Sequence, residues 1–146
     1  MASRDINDLV PELQVKYRRF ASAMADACVP FIVTCTVRSD AEQYALWMQG
    51  RFPLIDVNDH RRVVGLPPIT KDENRRKITW TIHSKHSSGR AFDIAVARDG
   101  KPTWDLKADV DLDGVPDYAE AGHIAEECGL RWGGEYKDFC HFELKG

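Results

Sequence analysis

Apolar residues recur at helical spacing at Leu13, Tyr17, Phe20, Met24 and Ala27, and Pro11 is tolerated in a first helical turn, so the pattern predicts a helix over 11–28. Pro30 closes it. The next run, Phe31-Ile32-Val33-Thr34-Cys35-Thr36-Val37, is β-branched and aromatic and predicts a strand buried on at least one face. Ser39-Asp40-Ala41-Glu42 has the form of a capping box, in which a hydroxyl takes a free amide of the first turn. It starts a helix that turns Tyr44, Trp47 and Met48 inward and stops at Gly50. Arg38 is left at a strand-to-helix junction, where a side chain can project into a cleft.

Residues 51–77 show no clear period and include Pro53, Pro67 and Pro68, so they read as a long surface loop of the kind that carries function. Segments 78–82 and 90–96 are strand candidates, and Asp99-Gly100 is a turn signal after the second. Alternation there puts Phe92, Ile94 and Val96 on one face and Ala91, Asp93 and Ala95 on the other, so Asp93 points away from the core. Residues 117–128 read as a helix closed by Gly129. Residues 139–144 read as a last strand, with Cys140, Phe142 and Leu144 opposed to Phe139, His141 and Glu143. The fold expected is α+β: a small antiparallel sheet bearing a metal face, with helices packed on one side.

Composition narrows the class. The 146 residues, 43% hydrophobic and 29% charged, suit one globular domain spanning 1–146. The longest apolar stretch, 28–37, is half the length of a membrane span, so no membrane insertion is expected. Asp5 and Asp8 stand where a secretory leader has its basic and apolar regions, which predicts synthesis and release in the cytoplasm. A net charge of −3 gives no footprint for nucleic acid. Six basic and two acidic residues lie within 61–77, read as a solvated loop. Cys28, Cys35, Cys128 and Cys140 lack C-x-x-C spacing and have apolar neighbours, so buried free thiols are expected, with a disulfide left open.

Two segments carry candidate chemistry. His86-Ser87-Ser88-Gly89-Arg90-Ala91-Phe92-Asp93 places an imidazole and a carboxylate seven apart, and Asp138-Phe139-Cys140-His141 adds another imidazole with a carboxylate three before it. Two histidines and one aspartate make a three-ligand set for zinc with a fourth position left for water. Asp138 has the position of a general base, and Arg38 that of an oxyanion stabiliser. Spacing alone does not choose between His83 and His86.

Ser84-Lys85-His86-Ser87-Ser88-Gly89-Arg90-Ala91-Phe92-Asp93 resembles the S-x-H-x-x-G-x-A-x-D motif of zinc peptidases of the D-alanyl-D-alanine carboxypeptidase and L-alanyl-D-glutamate endopeptidase family. Trp132-Gly133-Gly134 followed by Asp138-x-x-His141-Phe142-Glu143 resembles that family's C-terminal signature, and Arg38-Ser39 with Glu42-Gln43 resembles its arginine-bearing segment. The likeness implies a fold shared with D-Ala-D-Ala carboxypeptidases and the Hedgehog domain. It implies His86, Asp93 and His141 as ligands of one catalytic zinc, choosing His86 over His83. It also implies Asp138 as base, Arg38 as transition-state stabiliser, and Ser84, Trp132 and Gly133 as substrate-binding residues. Cys140 departs from the proline found before the second histidine in many relatives. The wording of the motifs is most similar to phage lysis endopeptidases that cut L-alanyl-D-glutamate bonds. The expectation is a monomeric endolysin reaching the peptidoglycan stem peptide in the periplasm after the inner membrane is opened. A D,D-carboxypeptidase or a bacterial wall-remodelling peptidase is the alternative reading, and a non-catalytic zinc-bearing binding module the minor one.

Residues 109–120 fit a twelve-residue EF-hand-type loop, with Asp109, Asp111, Asp113, Asp117 and Glu120 at positions 1, 3, 5, 9 and 12, Gly114 at 6, and the backbone carbonyl of Val115 at 7. One calcium ion, structural or regulatory, is therefore expected.

Overall fold

The computed structural model describes residues 2–109 and 112–145. Helix α1 (Pro11–Asp26) opens with its proline in the first turn, and every third or fourth apolar side chain goes inward: Leu13, Phe20 and Met24 are fully buried. Strand β1 (Phe31–Cys35) pairs antiparallel with β2 (Ala91–Arg98), which pairs with β5 (His141–Leu144), which pairs with β4 (Leu130–Trp132). A short β3 (Lys101–Thr103) folds back on β2 through Asp99 and Gly100, both at positive φ as a tight hairpin requires. Helix α4 (Asp117–Glu127) joins α1 on one face of this sheet.

The core lies between those two helices and the sheet. Phe92 and Phe142, opposite each other across β2 and β5, stack at 5.4 Å, and Phe20 meets both at 5.6 and 5.1 Å. Tyr118 of α4 is buried beside them and spends its hydroxyl on the sheet edge, donating to the Thr103 carbonyl (2.6 Å) and accepting from the Val96 amide (3.1 Å). Each such ring contributes about 1.5–3 kcal/mol by leaving water. As the alternation requires, Phe92, Ile94, Val96, Phe142 and Leu144 turn into this core, which leaves Asp93, His141 and Glu143 on the opposite face.

Helix α2 (Asp40–Met48) is capped by Ser39, whose Oγ accepts the Glu42 amide at 3.1 Å. It packs against a helix the sequence pattern concealed. Residues 54–63, expected to be loop, form α3 (Leu54–Val63), with Leu54 and Val57 inward against Met48 and Ile69. Its periodicity is masked because the next inward position is Arg61. That side chain is 7% exposed and donates Nε to the Pro67 carbonyl at 2.6 Å.

Two other expectations are corrected. Residues 78–82 form no strand. Their backbone groups are taken by side chains of α2 and of the turn after it instead of a ladder, Gln43 Nε2 donating to the Thr81 carbonyl (2.7 Å) and Arg51 Nη2 to that of Thr79 (3.1 Å). β1 stops at Cys35 rather than Val37, because a register shift between Val33 and Cys35 turns the chain so that Thr36 and Val37 pair with Ser3. All four cysteines are free; Cys35 is buried as expected, whereas Cys28 is exposed.

Candidate active site and metal centre

The outer face of β2 and β5 floors a cleft of about 960 Å³. Asp93 and His141 are direct partners across the two strands, and His141 Nδ1 lies 3.0 Å from Asp93 Oδ1. His86 comes from a 3₁₀ turn (Lys85–Ser88) that precedes β2. Ser84 caps this turn by accepting the His86 amide, and Gly89 ends it at φ +70°, close against the Asp8 carbonyl, where a side chain would be strained. The turn aims His86 Nε2 at the same Asp93 oxygen, 3.2 Å away, and brings the two imidazoles to 5.1 Å between centroids.

The outer nitrogens decide what this cluster can hold. His86 Nδ1 lies 2.8 Å from the Thr36 carbonyl, and His141 Nε2 lies 2.9 Å from Glu143 Oε1, while Lys85 Nζ holds the other oxygen of that carboxylate, Oε2, at 2.6 Å. Each outer nitrogen is therefore the N–H of a neutral ring, and each inner nitrogen presents a lone pair to an oxygen that also has only lone pairs to offer. Such a set is satisfied by extra protons or by a metal cation, and histidines with their second nitrogen so anchored are typical metal ligands. With protons alone, burial pushes the His86 imidazole down, but the Asp93 hydrogen bond and the Cys35 thiol carry it up to about 10. His141 likewise goes to about 9 against its burial, through Asp93 and Glu143. Burial would raise the Asp93 carboxyl, yet the two imidazoles hold it well below the usual carboxylate range. The hydrogen bond from His141, with help from Lys85, lowers Glu143 to about 2.

Cys35, Asp93's partner across β1 and β2, is a participant that the motif spacing did not reveal. Its Sγ lies 3.7 Å from His86 Nδ1, and the ligating atoms of Cys35, His86 and Asp93 all lie within 4.8 Å of one another. His141 reaches the same carboxylate from the β5 side. Two imidazoles and a carboxylate converging in this way suit zinc, with the Cys35 sulfur beside the outer nitrogen of His86.

Arg38 lines the cleft from the β1–α2 junction, its amide bound to the His86 carbonyl at 3.2 Å. Gln43 Oε1 (2.9 Å), Glu42 Oε2 (3.4 Å) and Cys35 Sγ (3.5 Å) hold its guanidinium from behind, which leaves one N–H on each terminal nitrogen for a ligand. Asp138 also lines the cleft, where burial raises its carboxyl above the usual range while His141 opposes the rise. Gly133 allows this approach: a Cβ there would be 2.5 Å from the Asp138 carbonyl oxygen and 3.0 Å from His141 Cβ. His83 also lines the cleft but is exposed, unlike the buried His86.

Trp132, expected against the substrate, is not on the cleft. Its ring fills a slot between Gly122 of α4 and Gly134, where any Cβ would come within 2.5 Å of the indole, and Nε1 donates to the Phe139 carbonyl at 3.0 Å. Trp80 lines the cleft instead. Glu143 was legible in retrospect, since two residues along a strand from His141 puts it on the same face.

In the acidic loop, Asp109 accepts the amides of Asp113 (3.2 Å) and Gly114 (2.8 Å), Asp113 accepts that of Val115 (2.8 Å), and Gly114 turns at φ +86°. Asp117 is fully buried at the start of α4, and Glu120 is half-buried one turn on. Asp111 lies outside the described residues.

A profile of the D-alanyl-D-alanine carboxypeptidase family matches residues 77–144, the segment holding Trp80, His86, Asp93, Asp138 and His141. The peptidoglycan L-alanyl-D-glutamate endopeptidase CwlK of Bacillus subtilis (strain 168) is 29% identical over 142 residues, covering 94% of this chain and 74% of its own length. The crystal structure of the L-Ala D-Glu endopeptidase ChiX of Serratia marcescens shares the fold, with a TM-score of 0.58 at 20% identity over 99% of this chain and 89% of that one. The chain is thus similar to D-alanyl-D-alanine carboxypeptidases over the segment that builds the cleft floor, is similar to CwlK over most of its length, and shares the fold of ChiX.

Proposed function

We propose that this protein is a zinc-dependent endopeptidase that cuts the bond between L-alanine and D-glutamate in peptidoglycan stem peptides. The observation that carries the reading is the lone-pair cluster: two imidazoles, each anchored through its outer nitrogen, converge on one oxygen of Asp93 in a cleft that also holds Asp138 and Arg38. His86, Asp93 and His141 would hold the zinc. Bound there, zinc would supply Lewis acidity and lower the pKa of water.

The remaining steps belong to the protein. Asp138, its carboxyl raised by burial, takes a proton from the attacking water and passes it to the departing amine of D-glutamate. Arg38 directs its two remaining N–H groups at the carbonyl oxygen of L-alanine as negative charge gathers there. Glu143 keeps His141 in one tautomer, and Ser84 fixes the turn that aims His86.

The choice of scissile bond follows CwlK, which is an L-alanyl-D-glutamate endopeptidase. The D,D-carboxypeptidase reading has its own support, since the matching profile carries that description. Purified peptidoglycan digested with the zinc-loaded protein should yield fragments with new amino-terminal D-glutamate. Free D-alanine without such fragments would replace the first reading with the second, and no product from zinc-loaded protein would revive the non-catalytic binding module, against which Asp138 and Arg38 argue. The motif wording supports a phage endolysin that acts as a monomer in the periplasm for host lysis. Among the described residues no helix is long and apolar enough to cross a membrane.

The loop at 109–120 is proposed to take one calcium ion through Asp109, Asp111, Asp113, Val115, Asp117 and Glu120. Its support is the twelve-residue pattern and the way Asp109 gathers the Asp113 and Gly114 amides. Because α4 starts inside the loop and leads to the segment bearing Asp138 and His141, calcium should raise both melting temperature and hydrolysis. At ten times the dissociation constant the added stability is about 1.4 kcal/mol. An Asp109→Ala variant should lose both responses; equal activity with and without calcium in the parent protein would reject regulation.

A further inference from the structure

Of the four tryptophans, Trp80 is the most exposed, at 80%, and it lines the cleft that holds the metal cluster. The others have evident structural partners or lie elsewhere. Trp132 fills its slot beside α4, Trp47 stacks on Tyr44 at 5.9 Å, and Trp104 is outside the cleft lining. An indole left in water does nothing for the core, and Ile78 and Tyr136 are exposed in the same cleft, so the apolar surface gathered there marks a place for a ligand.

Its mounting is rigid. Residues 79 and 81, one on either side, are both tied through their carbonyls, by Arg51 in the turn after α2 and by Gln43 of α2. At Gly50 a Cβ would be 2.8 Å from the Lys77 amide nitrogen, so the same wall is pressed against the end of α2. Arg51 and Lys77 approach the indole at 5.8 and 5.3 Å. Arg51 already donates Nη1 to the Trp47 carbonyl and Nη2 to that of Thr79, so it serves as a mount more than as an anion receptor. What this wall offers a substrate is an aromatic face. The C–H face of a pyranose is apolar and weakly positive, and it complements the negative face of an indole.

The substrate's covalent structure puts such a ring within reach. In a stem peptide the L-alanine nitrogen is acylated by the lactyl group of muramic acid, so the sugar is about two residue lengths, roughly 7 Å, from the bond to D-glutamate. A cleft of about 960 Å³ has room for more than the two amino acids at the cut. We propose that Trp80 is a saccharide platform that stacks on the muramic acid ring next to the scissile bond and so favours glycan-linked stem peptides over free ones. The inference rests on the L-alanyl-D-glutamate reading above.

The test compares a disaccharide-tetrapeptide with the same tetrapeptide lacking sugar, using the full-length zinc-loaded protein. The parent should prefer the sugar-bearing substrate about tenfold in kcat/KM, mostly through KM. In Trp80→Ala that ratio should collapse toward one, and Trp80→Phe should keep most of it. Separately, the sugar disaccharide without peptide should shift the Trp80 indole signal in a proton–nitrogen NMR spectrum, with that signal identified by its loss in Trp80→Phe. A substrate ratio unchanged in Trp80→Ala, or an indole signal unmoved by millimolar disaccharide, overturns the platform. If the parent releases D-alanine in place of amino-terminal D-glutamate, the endopeptidase reading falls instead. The platform is then decided by the indole shift alone.

Discussion

The floor and the wall of the cleft are built by different means. The floor is sheet: Asp93 and His141 are paired across β2 and β5, and the core phenylalanines sit directly behind them on the same strands. The wall at residues 77–84 forms no ladder; Gln43 of α2 and Arg51 just after it hold it. The floor fixes the groups that must meet within about half an ångström to do chemistry. The wall, which loses less when its residues change, is where a substrate can be distinguished from its analogues.

The largest effect should follow from breaking the floor. His86→Ala should remove stoichiometric zinc and abolish hydrolysis, whereas His83→Ala should keep both, as read by metal analysis and release of new amino termini. Full zinc in His86→Ala with loss in His83→Ala would reverse the ligand assignment. Asp138→Asn comes next. An amide cannot accept the proton, so turnover should fall about 10²–10⁴-fold while zinc and the melting temperature hold. Near-normal turnover would remove Asp138 from the role of base.

How much of this was readable in the chain follows the same division. Period-two alternation through Phe92–Ile94–Val96 and Phe142–Leu144 was enough to turn Asp93 and His141 outward together, and the structure finds them as neighbours. Ser39 announced α2, and its Oγ does cap that helix. Cys35 could not be placed in the site from spacing, because its position opposite Asp93 depends on strand register and on the shift after Val33. The wall was misread for a physical reason: Ile78, Trp80 and Ile82 alternate as a strand does, but the groups that satisfy this backbone are side chains of another element. α3 stayed hidden behind a buried arginine.

A smaller effect should come from cutting the wall's tether. Gln43 is 1% exposed and serves both regions, accepting from Arg38 Nη1 and donating to Thr81. Gln43→Ala leaves those partners unmatched at a cost of about 1–3 kcal/mol. Hydrolysis should drop about tenfold with zinc retained, since Arg38 and Trp80 lose a common support while the floor keeps its own. A loss of zinc equal to the loss of activity would show that wall and floor are one unit.

The smallest effect sharpens the floor itself. Without metal, the lone-pair cluster is satisfied by protons on His86 and His141, whose affinities rise to about 10 and about 9 from an ordinary value of 6.5. Below pH 6.5 both folded and unfolded chains bind these protons, and the stabilisation is fully present. Between there and pH 9–10 the folded chain binds more protons than the unfolded one, so stability falls as pH rises. Asp93 and Glu143 run the other way: their folded values are depressed, and their contribution is present above the ordinary carboxylate range and lost as pH drops through it. Chelated protein should therefore be most stable at about pH 5–6 and lose midpoint in urea steadily toward pH 9. Zinc inverts the upper limb, because the metal competes with protons for the same nitrogens and binds better as they leave. A urea midpoint of chelated protein that stays flat between pH 6 and pH 9 would mean that the two imidazoles do not share protons with Asp93 as the geometry requires.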